Sequence, residues 1–174
     1  MNLKISKVNK YWGSEPIKVD YSQIDQYIIQ KFNGEKCEGW FSNSYSEAAG
    51  RFAIGCDLLR ENNHNVEHER LLLDMKGPED EPLAIDVAVI GSLENGKVLL
   101  SSSGIHGVEG YPGSAIQLSL LDDLAKQEPF DSHAVIFIHT INPYGMAWWR
   151  RFNENNVDLN RNFLRSDQKY SGVP

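Results

Sequence analysis

A chain of 174 residues is one domain by length and is large enough to bury a core of its own. With 41% apolar and 24% charged residues it has ordinary globular composition, and its net charge of −7 argues against nucleic acid or anionic membrane as a partner, since both need a basic face. The opening "MNLKISKVNKYWGSEP" lacks the apolar run of a signal peptide, no stretch approaches a membrane span, and Cys37 and Cys56 make no disulfide framework, so we expect reduced thiols and a cytoplasmic location.

In chain order, "YSQIDQYIIQKF" places Ile24, Tyr27 and Ile28 at helical spacing before Asn33-Gly34, and residues 1–34 read as an N-terminal extension with a short helix. "SYSEAAGRFAIGCDLLRENN" predicts a well-specified helix. Ser44 and Glu47 form a capping box, and Ala48, Phe52, Cys56 and Leu59 fall on one face. The period then changes. "RLLLDM" and "LAIDVAVI" read as strands separated by Gly77-Pro78. "VAVIGSLENGKVLLSSS" predicts a hairpin turning at Asn95-Gly96. "GSAIQLSLLDDLAK" predicts a helix whose buried face carries Ile116, Leu120, Leu121 and Leu124, and "HAVIFIHTI" a buried strand. Strands, a helix and another strand in this order indicate an α/β sheet.

Two His-x-x-Glu pairs occur, His64–Glu67 and His106–Glu109, where about 0.4 are expected by chance. The first, with His68 nearby, lies in the polar run "ENNHNVEHER" and reads as solvated surface. The second follows the strand "KVLLSSSG", whose carboxyl end opens into a glycine-rich loop, the place where ligands of α/β sheets bind. Residues three apart on a helical turn share a face, so both side chains can reach one metal ion. Beyond the next strand, "INPYGMAWWRRFNENNVDLNRNF" gathers Arg150, Arg151 and Arg161 with Asn153, Asn160 and Asn162, donors suited to a carboxylate. Asp158 among them is placed to orient a neighbour, and Trp148 and Trp149 read as core packing or pocket lining.

"HGVEG", then "NPYG", then "RFNENNVDLNRNF" resembles the zinc metallocarboxypeptidases of the carboxypeptidase A type, and more closely a bacterial subgroup of that superfamily known as a domain of unknown function. The resemblance runs from about Leu99 to Phe163. It implies a mixed β-sheet flanked by helices, of the phosphorylase/hydrolase-like kind, with residues 35–174 forming the amino-terminal part of the catalytic domain. It implies His106 and Glu109 as zinc ligands, Arg151 as the group stabilising the oxyanion, and Asn160 and Arg161 as the grip on a substrate's free carboxylate. The activity implied is hydrolysis, by metal-activated water, of an amide bond next to that carboxylate in a peptide. Two positions depart from the pattern: Tyr144 stands in the Asn-Pro-Asp-Gly turn, and Asn156 replaces a glycine before "VDLNRN".

A catalytic zinc takes three protein ligands, and the family's third histidine and its general-base glutamate lie downstream of "NRNF". The eleven residues after Phe163 hold neither. His133 and His139 occupy positions that do not face the metal in the family. We therefore expect an incomplete domain whose sheet edge and apolar surface lead to homo-oligomers, and which by itself is inactive. Two alternatives stand beside the peptidase. One is an N-acyl amino acid deacylase like aspartoacylase or succinylglutamate desuccinylase, and the other a non-catalytic domain that binds a ligand or partner.

Overall fold

The structure, a computed structural model, describes residues 37–162 except 95, together with 164, 165 and 167. The expected helix within residues 1–34 lies outside the described residues. A turn of 3-10 helix, Cys37–Trp40, leads into α1, Tyr45–Glu61. The capping box forms as the sequence predicts. Ser44 Oγ accepts from the Glu47 N–H at 3.1 Å, while the Glu47 carboxylate reaches back one residue further than expected, to the Asn43 N–H at 2.8 Å. Arg51 fastens α1 to the preceding turn through the carbonyls of Gly39 and Phe41. The predicted apolar face, Ala48, Phe52, Cys56 and Leu59, is completely buried. Burial also pushes the Cys56 thiol far up, so it stays protonated and inert.

Four strands make one mixed sheet: β1 (Val66–Lys76), β2 (Pro82–Gly91), β3 (Val98–Ser102) and β4 (Ala134–His139), in the order β1-β2-β4-β3. β1 and β2 are an antiparallel hairpin closed at Gly77, where the Gly77 N–H donates to Glu81 O at 2.9 Å and Asp80 takes φ +65°. β2 pairs antiparallel with β4, and β3 pairs parallel with β4 through the helical crossover α2, Gly110–Ala125. Helices α1 and α2 cover one face, their Phe52, Leu59, Leu118 and Leu121 packing on Ala88, Ile90, Val135 and Phe137 of the sheet. A smaller cluster joins Tyr45, Leu83 and Tyr111 to Met146 of α3, Pro143–Ala147. The expected mixed α/β architecture with flanking helices is therefore what the chain adopts.

Three expectations are corrected. The hairpin at Asn95-Gly96 does not form, because β4 lies between β2 and β3. Gly96 does take a positive φ of +73°, but the connection runs across the start of β4, held by Ser92 N–H to His133 O and Ala134 N–H to Lys97 O. Bridging two strand spacings, roughly 10 Å, needs more chain than a two-residue turn supplies.

The buried face of α2 is also rotated from the predicted one. Leu121 is buried, but Ile116 is 63% exposed and Leu120 is exposed too. Polar residues take the inner positions because the strand ends satisfy them. Gln117 donates to Ser101 O and Ile138 O and accepts from Ser103 Oγ, and Ser114 Oγ meets His139 Nε2 at 2.8 Å. Exposed Val98, Leu99 and Leu100 on β3, an outer strand of the described sheet, leave a further apolar strip uncovered.

The run "ENNHNVEHER" is not uniformly solvated surface. His64 is buried, its ring edge-on to Phe130 at 5.8 Å, while Glu67 faces solvent. His68 is half-buried and meets Asp86 Oδ1 at 2.8 Å, with Arg70 Nε forming an ion pair to the same oxygen at 3.1 Å. Asp86 is fully buried on β2, opposite Arg70 on one side and His139 on the other.

His139 ends β4, stacked on Phe52 at 4.7 Å and completely buried. Desolvation lowers its pKa to about 4, with the Asp86 carboxylate opposing. The folded state thus holds it neutral, whereas an unfolded histidine titrates near 6.5. Stability from this group is complete above that value and is lost as pH falls towards 4. We expect a loss of about 1.5 kcal/mol between pH 6.5 and 5, read from urea unfolding, and its disappearance in His139→Gln. An unchanged slope in the variant would assign the effect to other groups.

Candidate functional site

The carboxyl ends of β3 and β4 finish side by side and their loops stay joined. Ser103 N–H donates to Ile138 O, Ile141 N–H to Ser103 O, and Asn142 N–H to Gly104 O. From there the glycine loop turns toward α2. Gly104 takes φ +66°, a conformation that costs glycine nothing. At Gly107 a Cβ would stand 2.0 Å from the backbone carbon of Gly145, so only glycine lets the loop lie flush on α3. Backbone bonds then weld it to the arginine segment, Gly107 N–H to Arg151 O at 3.3 Å and Val108 N–H to Arg150 O at 3.2 Å. Asn142 completes the joint: its Oδ1 caps α3 at the Gly145 N–H, and its Nδ2 donates to Arg151 O.

This frame brings His106 and Glu109 together. The His106 ring is 6% exposed, and Nδ1 lies 3.2 Å from both oxygens of Glu109, which is the N-cap of α2 and 68% exposed. On the ring's other side, Nε2 meets Asp158 Oδ1 at 2.9 Å. Asp158 also accepts from Arg151 Nε at 3.0 Å and from the Asn160 N–H at 3.0 Å. Its partial desolvation works to raise the carboxyl pKa, but the bonds from His106, Arg151 and Asn160 outweigh that and hold it at about 2. An ionised carboxylate only accepts, so Nε2 donates to Asp158, and Nδ1 faces a second acceptor in the Glu109 carboxylate, a contact that needs a proton on Nδ1 or a cation between the two. Asp158 thus orients a neighbour, as its place in the sequence implied.

A carboxylate on each side of one imidazole is a cradle for positive charge. Two zinc ligands at about 2.0–2.1 Å and a tetrahedral angle lie roughly 3.3 Å apart. The 3.2 Å between Nδ1 and the Glu109 oxygens fits that spacing. The second carboxylate, on Nε2, is the partner that fixes the tautomer of metal-bound histidines. Among the described residues, however, no group of three metal-binding side chains occurs. His139 is committed to Ser114 and Phe52, and His133 stacks on Phe130 at 4.2 Å.

Arg161 and Asn160 are exposed on the same turn. The Arg161 N–H donates to Asp158 O, and its guanidinium to Asn160 O. The structure thus joins His106, Arg151 and the Asn160 backbone through Asp158, with Glu109 on the far side of the His106 ring and the Arg161 side chain on the adjoining surface. Asn156 takes φ +60°, left-handed geometry that asparagine tolerates and glycine favours. The departure from glycine at this position therefore preserves the backbone path, and the Asn156 Oδ1 accepts from Arg150 Nη2 at 3.0 Å. The tryptophans are not core. Trp149 is 62% exposed and stacks on Tyr111 at 4.5 Å, and exposed Trp148 donates to Lys76 O. Missed in the sequence was the group of His68 and Arg70 around the buried Asp86, which no spacing or motif marks.

Among the described residues no helix is long and apolar enough to cross a membrane. No curated protein matches the chain. Solved structures similar to it are glutaminyl cyclases. That of Porphyromonas gingivalis shares 12% identity at a TM-score of 0.34, over 74% of this chain and 50% of that one. The Tannerella forsythia enzyme shares 12% at 0.37, over 80% and 53%, and the Macrostomum lignano enzyme 14% at 0.36, over 77% and 45%. The chain spans about half the length of these structures. Likeness of that degree establishes no chemistry. The family described as "Protein of unknown function (DUF2817)" matches residues 41–172, and the chain belongs to that family.

Proposed function

We propose that this chain supplies His106 and Glu109 to the zinc centre of a hydrolase of the metallocarboxypeptidase type, acting on an amide bond next to a free carboxylate. The observation that carries the reading is His106 held between Glu109 and Asp158, with Nδ1 turned to the exposed carboxylate. Zinc, when bound, supplies a Lewis acid that makes water a nucleophile at neutral pH. The chain's own groups do the rest. Asp158 fixes the His106 ring and tethers Arg151 by Nε, which leaves the terminal guanidinium nitrogens outside that tether, as donors for an oxyanion. Arg161, on the surface of the same turn, suits a terminal carboxylate.

A second reading, a ligand-binding domain without turnover, is favoured by the absence of a third ligand among the described residues. One experiment separates the two: an N-acetyl dipeptide and its carboxy-terminal amide are presented to the zinc-loaded chain, following both binding and cleavage. Cleavage of the free acid alone, weakened by Arg161→Ala through KM, supports the hydrolase. Equal selectivity in binding without cleavage supports the second reading. Indifference to the free carboxylate sinks both.

A further inference from the structure

A cavity of about 560 Å³ lies between the β1–β2 hairpin and the segment 141–159. Strand register places it. Leu71 pairs with Ile85 and Asp86 with His139, so Ile141, just beyond His139, emerges at the same end of the sheet. That is the end where β3 and β4 finish and the glycine loop begins. Leu159, another lining residue, stands between Asp158 and Asn160. Asn142, also in the wall, donates to Arg151 O. Leu159 and Asn142 therefore link the cavity lining to the segment that carries Asp158 and Arg151.

The lining has a one-sided chemistry. Leu71, Ile85, Ile141 and Leu159 make it aliphatic, and its only charged residues among those described are Asp74 and Glu154, both acidic. Asp74 is exposed and Glu154 half-buried, so the carboxylates sit where the cavity meets water. The volume lies in the range of ligand sites and holds a dipeptide. Carboxylates in the lining repel an acidic side chain and attract an ammonium group, which is discrimination by repulsion as well as by attraction.

We propose that this cavity is the side-chain pocket of the site, taking an aliphatic or lysine-like side chain and rejecting aspartate and glutamate. Its role as a substrate pocket rests on the hydrolase reading, and it separates peptide-type substrates from N-acyl amino acids of the aspartate and succinylglutamate kind.

The test reads binding to the metal-free chain by calorimetry, with N-acetyl-leucyl-lysine and N-acetyl-leucyl-aspartate as probes. The lysine peptide is expected to bind at least about tenfold tighter. Asp74→Lys/Glu154→Lys reverses the order, and the milder Glu154→Gln narrows it should the double variant misfold by circular dichroism. Equal affinities, a preference for the aspartate peptide, or no binding of either probe overturns the proposal. Because no metal is present, the pocket's selectivity stands or falls independently of whether the zinc-loaded protein cleaves, which bears on the hydrolase reading alone.

Discussion

Asp86→Ala is expected to cost the fold about 3–5 kcal/mol, a large share of the 5–15 kcal/mol by which domains are stable. Asp86 is fully buried at the centre of the sheet, and His68 and Arg70 both turn to its Oδ1. Coulomb attraction inside a protein barely offsets the desolvation of a pair, so the pair itself adds little. Removing one member is different, because it takes away the carboxylate that both His68 and Arg70 face across the sheet. Asp86→Asn keeps an acceptor for His68 and removes only the charge, and its loss should be smaller. Urea unfolding at pH 7 measures both. A loss below about 1 kcal/mol for the alanine variant would mean that Arg70 finds water instead, and the group would be peripheral.

If His106 ligates zinc as proposed, Asp158→Ala weakens zinc binding by about 10–100-fold, the usual effect of losing the carboxylate behind a ligating histidine. The carboxylate holds three groups at once: the His106 ring, the Arg151 side chain and the Asn160 N–H. Without it the ring loses its orientation and Nδ1 its fixed direction toward Glu109. On the proposed zinc reading His106→Ala removes a ligand outright, and binding should fall out of measurable range. Glu67→Ala is the control, since Glu67 belongs to the other His-x-x-Glu pair and faces solvent above a buried His64. Competition against a chromogenic zinc chelator ranks all four chains. Equal affinity in the His106→Ala chain and the unaltered one would place the metal elsewhere.

Much of the frame was legible because its causes are local. The Ser44–Glu47 cap and the α1 stripe need only the chain within one or two turns, and both formed. Gly104 and Gly107 announced a tight loop after a strand, and the structure uses one for its positive φ and the other for its contact with Gly145. The α2 face was misjudged for a physical reason. Hydrophobicity ranks leucine above glutamine, but Gln117 meets backbone groups at the ends of two strands and so is buried at no cost in hydrogen bonds.

By itself the sequence determined α1, α2 and the four strands, their α/β order and the two blocks that carry His106, Glu109, Arg151 and Asp158. Each depends on neighbours along the chain or on a motif that repeats as a unit. The tertiary structure alone decided that β4 lies between β2 and β3, that one His-x-x-Glu pair converges while the other divides between core and solvent, and that the Asp158 turn folds back onto the glycine loop. The strand order and the return of the Asp158 turn rest on contacts between residues dozens of positions apart. Such contacts form only when the summed burial of a sheet and two helices outweighs the entropy of closing the chain, and no short stretch of sequence carries that balance.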